Sequence, residues 1–279
     1  MNAHENNNPI KNHWESMSLS YGMDLKSTTK NSSIKKLEIN ALSQTINYIL
    51  ERSPKAKTVL EIGCGNGYNC CALSKEFLDL NFTGVDYIAN MIVNAKNLAE
   101  TEGCKNINYI VGDILDINKV ELLSTYDIVF TDRCIINLDT PEKQKQGIRN
   151  LVQKTTIGGH IIIIENSTLT YEKQNLCREL VGLEKRAPAQ YNLFISESLI
   201  VECENEMNLK LLDIHDFGSL HDLFLYVILP KTNNGEIEYD SKIIEAITDF
   251  CIKTAAISKN KFGDFGQNRL YLLRKESEI

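Results

Sequence analysis

Residues 58–67 read Thr-Val-Leu-Glu-Ile-Gly-Cys-Gly-Asn-Gly, a short apolar run with one acid, followed by glycines at alternate positions. The next apolar run, 81–85, ends in Asp86. A buried strand that turns through glycines into a helix lets a ligand approach the backbone and aims unpaired N–H groups at it. An acid about 20 residues further on is the usual acceptor for ribose hydroxyls. This stretch therefore predicts a nucleotide-binding strand–turn–helix unit.

The glycine spacing decides which kind of nucleotide is expected. A dinucleotide site needs the pattern G-x-G-x-x-G, but position 68 is Tyr68. Glu61, two residues before Gly63, would repel a pyrophosphate. A ligand with a cationic end is the better partner for this turn.

With these residues the chain resembles the class I S-adenosylmethionine-dependent methyltransferases, whose first motif is E/D-x-G-x-G-x-G. The resemblance is good over residues 55–165 and looser elsewhere. It implies S-adenosylmethionine as the cofactor and a three-layer α/β/α Rossmann-like methyltransferase fold. The sheet of that fold has seven mostly parallel strands, with an antiparallel last strand between the fifth and the sixth.

The resemblance also implies which residues bind the cofactor. Glu61 would face its ammonium group, Asp86 its ribose hydroxyls, and Tyr87 and Asp113 its adenine. Each has an alternative structural role: Asp86 and Asp113 as caps, Tyr87 as core. The predicted cofactor-binding residues are Glu61, Gly63, Cys64, Gly65, Gly67, Asp86, Tyr87, Asp113, Ile114, Thr131 and Arg133.

Composition limits the possible surroundings and partners. The 279 residues include 30 Lys and Arg against 37 Asp and Glu, a formal net charge of −7, which disfavours nonspecific binding to DNA or to an anionic membrane. Eight cysteines without a C-x-x-C pattern suggest free thiols in a reducing compartment. Apolar runs are far shorter than the ~20 residues of a membrane span. We expect a cytoplasmic protein without membrane or DNA partners; its oligomeric state is open, with a homodimer as one alternative.

Strands and helices alternate along the chain, which indicates a parallel sheet covered on both faces. Residues 1–13 are polar and predict disorder, and a helix is expected over 34–51 with Ser32 or Ser33 as its N-cap. We expect an N-terminal arm and helical cap over 1–53 and a Rossmann-like domain over 54–279, with an insertion at about 219–265. Segment 219–230 fits either a strand or a short helix. Predicted strands are 58–62, 81–85, 107–111, 126–131, 160–165, 209–214 and 269–274, and predicted helices lie near 67–77, 89–102, 141–156 and 170–184.

The loop after the fourth strand, residues 131–138, reads Thr-Asp-Arg-Cys-Ile-Ile-Asn-Leu. In the family this loop faces the transferring methyl group, and enzymes that methylate base or glutamine amines carry [D/N/S]-P-P-[Y/F/W] there. The absence of that motif, with the acidic charge, argues against a DNA base methylase. The stretch Asp-Arg-Cys-Ile-Ile-Asn-Leu, followed by Pro-Glu-Lys-Gln, is similar to a subgroup of small-molecule methyltransferases, some of which act on sugars. We therefore expect a small-molecule methyl acceptor, an amino sugar or a sugar nucleotide. The alternatives are an RNA or protein methyltransferase and a cofactor-binding homologue without activity.

Catalytic and substrate-binding residues are less well specified by the sequence. His215, His221 and Asp132 are candidates for accepting a proton from the acceptor, although a lone histidine is more often structural. A partial match to a magnesium site places Asp132, Glu165 and Asn166 together, but we predict no metal, because Glu and Asn at strand ends commonly cap the next helix. The candidate substrate-binding residues are Trp14, Tyr21, Asn166, Tyr191 and Asn192.

Overall fold

A computed structural model describes residues 8–258 and 262–279. The strands are β1 Thr58–Ile62, β2 Asn81–Asp86, β3 Ile107–Val111, β4 Tyr126–Asp132, β5 Thr155–Asn166, β6 Leu209–His215 and β7 Asn268–Lys275. The helices are α1 Pro9–Tyr21, α2 Ser32–Arg52, α3 Tyr68–Glu76, α4 Ala89–Thr101, α5 Pro141–Gln153, α6 Thr168–Leu180, α7 Glu197–Glu206, α8 Ser219–Leu223, α9 Leu229–Thr232 and α10 Lys242–Ser258. Short 3-10 turns follow α1, β3 and β4, and a π-helical turn joins α8 to α9.

The seven strands form one sheet in the order β3-β2-β1-β4-β5-β7-β6. The first five are parallel, whereas β7 runs antiparallel to both β5 and β6. The predicted fold class is thereby confirmed, including the position of the last strand. Because the strand order reverses between β1 and β4, a crevice opens at the carboxyl ends of these strands, where open α/β sheets bind their ligands.

Alternating side chains on the central strands build two separate cores. Val59 and Ile128 face a cluster that includes α2, α3, α4 and α10. Their neighbours Leu60 and Val129 face a second cluster with α5 and α7. The sheet is thus covered on both faces. Since α2 shares the core of the sheet, the proposed boundary at residue 53 does not separate two cores, and the division into arm and domain stays a prediction.

The N-terminal region differs from the expectation of disorder. Residues 9–13 belong to α1, which Asn8 caps by accepting from the backbone N–H groups of Ile10 and Lys11. Asn31, rather than Ser32 or Ser33, caps α2. Asparagine is common both in disordered segments and at the N-caps of helices. The sequence alone therefore does not identify Asn8 and Asn31 as caps. Residues 1–7 of the predicted disordered segment lie outside the described residues.

The C-terminal half resolves one ambiguity and adds two helices. Segment 219–230 is helical, in α8, the π turn and the start of α9, whereas helices α7 and α10 are absent from the prediction. The proposed insertion at about 219–265 includes residues 259–261, which are outside the described residues. Within the described ranges, no helix combines the length and apolar composition that crossing a bilayer requires.

Candidate active site

A cavity of about 1050 Å³ opens at the carboxyl ends of β1, β2, β4 and β5. It is lined on one side by the glycine turn after β1 and on the other by α1 and the segment between α6 and α7. Of the predicted residues, Gly63, Cys64, Gly65, Asp86, Tyr87, Asp113, Ile114, Asp132, Arg133, Trp14, Tyr21, Asn166, Tyr191 and Asn192 line it. The structure thus brings most of the predicted residues to one site.

The glycine turn owes its shape to backbone conformations that other residues rarely adopt. Gly63 and Gly65 have φ values of 78° and 54°. A Cβ atom on Gly65 would lie 2.7 Å from Cγ2 of Thr28, and one on Gly63 would lie 2.5 Å from Sγ of Cys134. The absence of side chains here lets the backbone line the cavity directly.

Asp86 lies beside this turn at the end of β2. Its Oδ2 accepts from the N–H of Gly65 at 2.9 Å, and its Oδ1 accepts from the N–H of Ile88 at 2.9 Å. Burial raises the pKa of Asp86 to about 6, against the opposing effect of these two hydrogen bonds. Each oxygen accepts one N–H, so each retains a lone pair for a ligand hydroxyl.

Glu61 occupies a different position from the predicted one. Its carboxylate is buried below the cavity lining, where it accepts from the amide of Asn69 at 2.8 Å and the thiol of Cys70 at 3.0 Å. Burial raises the pKa of Glu61 to about 7. Asn69 lines the cavity in its place and also donates to Asp132 at 3.0 Å. Asn69 rather than Glu61 therefore reaches the cavity surface, and the contact of Glu61 with a cationic ligand stays a prediction.

A buried ion network underlies the part of the cavity that the loop after β4 forms. The Nζ of Lys35 lies 2.5 Å from Oδ2 of Asp132 and 2.7 Å from Oε2 of Glu38, and the Nε of Arg133 lies 2.9 Å from Oε1 of Glu38. Burial by itself would raise the pKa of Asp132, but the charges of Lys35 and Arg133 outweigh it and lower the pKa. Asp132 is therefore held ionised. Its Oδ1 is buried and accepts no hydrogen bond from the described residues.

The adenine-side candidates meet at the ends of β2 and β3. Asp113 is exposed, and its Oδ1 caps the following turn by accepting from the N–H of Leu115 at 2.9 Å. Tyr87 and the buried Ile114 line the same part of the cavity. The capping role was the alternative considered from the sequence, and it is compatible with lining the cavity, because only one oxygen of Asp113 is engaged.

Helix α1 lies along one side of the cavity and contributes two predicted substrate residues, Trp14 and Tyr21, to its lining. The Nε1 of Trp14 donates to Oδ1 of Asn137 at 3.3 Å, and the ring of His13 stacks on Tyr191 with centroids 5.0 Å apart. Asn166, at the end of β5, donates to Asn268 at 2.7 Å. Aromatic side chains from distant parts of the chain thus cover one site.

Besides Glu61, four other predicted residues do not line the cavity. Thr131 is fully buried, and a Cβ on Gly67 would meet the hydroxyl of Tyr109. His215 is not among the lining residues, and burial lowers its pKa. His221 is buried with its Nδ1 2.8 Å from Oδ1 of Asp222. Neither histidine thus lines the cavity, and their role as bases stays a prediction that this geometry does not favour.

Glu165 is unavailable as a metal ligand. Its two carboxylate oxygens accept from three successive backbone N–H groups, those of Cys134, Ile135 and Ile136, at 2.9, 2.7 and 3.2 Å. The carboxylate thus caps the turn after β4. Within the described parts of the chain, no group of three or more His, Cys, Asp and Glu side chains is arranged to hold a metal ion.

Sequence reasoning missed several residues of this site. Lys35, Glu38 and Asn69 build the ion network, and Arg186 lines the far end of the cavity. One signal was present in the sequence for Lys35 and Glu38: they stand on the apolar face of α2, where charged side chains require buried partners.

The chain is similar to known methyltransferases. Residues 53–211 match the family described as a methyltransferase domain. The chain is 29% identical over 113 residues to ajmaline N-methyltransferase from Rauvolfia serpentina, covering 40% of this chain and 37% of that protein. It is 30% identical over 115 residues to malonyl-[acyl-carrier protein] O-methyltransferase from Bacillus anthracis, covering 41% and 39%. The matched segment thus spans less than half the length of these relatives.

Among solved structures, the N-methyltransferase NodS from Bradyrhizobium japonicum WM9, in complex with S-adenosyl-L-homocysteine, superposes with a TM-score of 0.55. The match covers 95% of this chain and 100% of NodS at 15% sequence identity, which shows a shared fold. The family match covers more than half of the chain and coincides with the strands that form the cavity. The chain therefore belongs to the methyltransferase domain family, and its fold is that of the class I S-adenosylmethionine-dependent methyltransferases.

Proposed function

We propose that this protein transfers the methyl group of S-adenosylmethionine to a nitrogen or oxygen atom of a small polar molecule. The observation that carries the proposal is the placement of Asp86. Its carboxylate lies beside a glycine turn, lines a cavity large enough for two ligands, and keeps lone pairs free on both oxygens.

The residues of the cavity fit the cofactor group by group. The backbone of Gly63 and Gly65 would pack against the methionine portion, and Asp86 would accept the ribose hydroxyls. Tyr87 and Ile114 would cover the adenine. The Oδ1 of Asp132 lies 3.7 Å from Nε of Arg133 but accepts no hydrogen bond from the described residues, so it can accept one from a cationic or N–H-bearing ligand group. When bound, S-adenosylmethionine supplies a methyl group made electrophilic by its sulfonium.

The protein's own contribution is alignment and the exclusion of water. Trp14 and Tyr191 cover the cavity from two segments. Asp132 has a lowered pKa, so its carboxylate is a weak base that is better suited to orienting an amine than to deprotonating a hydroxyl. This favours a nitrogen acceptor. Within the proposal, an amino sugar or a sugar nucleotide is the acceptor class that the loop after β4 favours, and both belong in a first substrate panel.

Calorimetric titration with S-adenosylhomocysteine tests the cofactor part of the proposal. Asp86→Asn retains the shape of the side chain but loses its charge, and we expect affinity to fall by about 1.5–3 kcal/mol, the range for hydrogen bonds to charged groups. Asp79→Ala removes an exposed carboxylate from the loop before β2 and serves as the matched control with unchanged affinity. If the wild-type protein fails to bind the ligand, or Asp86→Asn binds it equally well, the proposal is wrong.

A further inference from the structure

Helix α6 buries a polar face. Its most buried side chains recur at helical spacing and include Tyr171, Gln174, Asn175 and Arg178. The leucines of the same helix point outward instead, with Leu176 55% and Leu180 78% exposed. An amphipathic helix normally buries its apolar side. Gln174 and Asn175 use this face to hold the segment around Arg186, through the Arg186 guanidinium and its backbone, and Tyr171 lines the cavity beside them.

Arg186 lies opposite this face, in the segment between α6 and α7, and also lines the cavity. Its guanidinium donates to the amide oxygens of Gln174 at 2.6 Å and Gln267 at 3.1 Å. The guanidinium carbon lies 3.5 Å from the ring centroid of Tyr226. In the described part of the chain, no carboxylate approaches it within ion-pair distance, so neutral groups orient this cation without neutralising it.

A second arginine increases the positive charge at this end of the cavity. Arg178 is buried and donates to two backbone carbonyl oxygens, those of Glu184 at 2.7 Å and of Tyr226. Burial, and next the charge of Arg186, lower the pKa of Arg178. Among the described residues it has no ion-pair partner either. Two neighbouring guanidinium groups without carboxylates are costly unless an anion joins them.

Asp222, an acid that lines the same cavity, forms no ion pair with either arginine. Its oxygens bond instead to Nδ1 of His221 at 2.8 Å and to the backbone N–H of Gln267 at 2.6 Å. The N–H groups that Arg186 does not use in its two amide bonds therefore stay available to a ligand.

The walls around Arg186 are aromatic. The ring of Tyr171 meets Phe194 edge-to-face, with centroids 4.9 Å apart, and Tyr226 and Tyr239 line the same part of the cavity. The hydroxyl of Tyr171 is buried and makes no hydrogen bond to the described residues. We call this end, formed by Tyr171, Arg186, Phe194, Tyr226 and Tyr239, the arginine chamber. It combines ring surfaces, an unneutralised cation and a free hydroxyl.

We propose that the arginine chamber binds an anionic oxygen group, a carboxylate or a phosphate, of the methyl acceptor. The proposal rests on the proposed function, since it assigns one end of the same cavity to the acceptor. Three of the five N–H groups of Arg186 remain unused after its two amide bonds, enough for a bidentate contact. The hydroxyl of Tyr171 can donate to the same anion. Among small polar acceptors, the chamber thus selects one with a ring that can pack against the aromatic walls and with an anionic substituent.

The test uses benzoate, phenyl phosphate and neutral benzamide as probes, titrated into the protein saturated with S-adenosylhomocysteine. We expect one of the two anions to bind at least tenfold more tightly than benzamide, and the tighter one identifies carboxylate or phosphate as the natural group. Arg186→Gln should weaken the anion roughly 10- to 150-fold, the range for a lost charge-assisted hydrogen bond. Arg186→Lys keeps the charge and should recover part of the affinity.

Lys185→Gln is the matched control, because it removes the adjacent but exposed cation, whose partner is Glu179 at 3.1 Å. Its anion affinity should equal that of the wild type. Retained affinity of Arg186→Gln for S-adenosylhomocysteine shows that the variant is folded. Equal binding of benzamide and both anions, or an Arg186→Gln variant that binds the anion normally, overturns the proposal. If the protein does not bind S-adenosylhomocysteine but still binds the anion in a way that depends on Arg186, the anion site is supported and the proposed function is wrong.

Discussion

The buried ion network offers the sharpest test of how the site is held together. Lys35 stands on α2 and contacts Asp132 at 2.5 Å, Glu38 at 2.7 Å and the amide oxygen of Asn69 at 3.3 Å. Lys35→Met keeps most of the volume of the side chain but removes its charge. The four-residue network of Lys35, Glu38, Asp132 and Arg133 is neutral, so the substitution leaves two buried carboxylates sharing one guanidinium.

The expected loss can be estimated from this geometry. At an effective dielectric constant of 20, two unit charges 2.7 Å apart attract each other by roughly 6 kcal/mol. Part of this attraction is offset, because the uncharged methionine does not incur the cost of removing the Lys35 ammonium from water. Removing one partner of a buried ion pair typically costs about 3–5 kcal/mol. We therefore expect Lys35→Met to lower the free energy of unfolding by about 3–5 kcal/mol at pH 8.

Protonation provides a second readout of the same substitution. Without Lys35, one of the carboxylates of Glu38 and Asp132 is left without a cation, so its pKa rises above the value in the unfolded chain. An acid whose pKa is raised by folding stabilises the protein less as the pH increases. The loss should consequently be smaller at pH 5 than at pH 8.

Urea unfolding followed by circular dichroism measures both effects. Lys253→Met is the matched control, since Lys253 forms a 2.7 Å pair with Asp249 in which the side chains are 73% and 59% exposed. Such exposed helical pairs contribute only about 0.3–0.5 kcal/mol. If Lys35→Met and Lys253→Met cost the same, or if the cost of Lys35→Met is greater at pH 5 than at pH 8, the reasoning about the buried network is refuted.

Two further predictions concern the glycine turn and the acid below it. Gly65→Ala should destabilise the protein more than Gly158→Ala, because both glycines have positive φ but only Gly65 has an atom, Cγ2 of Thr28, within 4 Å of the added Cβ. Thermal unfolding would measure the difference, and Thr28→Ser should restore part of it; equal shifts for both glycines would contradict the steric explanation. Burial raises the pKa of Glu61 from 4.5 to about 7, so its contribution to stability should fall as the pH rises through that window, by at most about 3 kcal/mol at 1.36 kcal/mol per pKa unit. The difference in unfolding free energy between wild type and Glu61→Gln should therefore change between pH 4.5 and 7, and a constant difference would show that Glu61 titrates normally.

Local patterns were sufficient to predict most of the fold. The run at 58–62 and its glycines, the acid at Asp86 and the last strand near 269–274 all occupy their expected places. Each of these signals is contained in a few neighbouring residues: an apolar run of strand length, a glycine turn, an acid at a strand end. The carboxyl ends of parallel strands meet at one edge, so Asp86 and Asp113 could be placed at the cavity without knowing any long-range contact.

Side-chain roles that depend on partners from other segments were not predictable in this way. Glu61 follows the expected motif, yet Asn69 from the next helix stands between it and the cavity. His215 and His221 lie at or just after the end of β6 in the sequence, but neither lines the cavity: His215 is half-buried elsewhere and His221 is fully buried. Access to a ligand depends on the packing of the whole chain, and a strand-end position alone does not specify it.

By itself the sequence determined the sheet, the glycine turn and the acids beside that turn. These follow from the spacing of apolar residues, from the glycines of the turn and from the positions of acids at the ends of strands. Only the tertiary structure decided the acceptor side. Lys35 meets Asp132 across 97 positions of the chain, and Arg186 meets Gln267 across 81. The electrostatic character of that end of the cavity depends on which charges remain unpaired after folding, and pairing between segments so distant is set by how helices pack on the sheet.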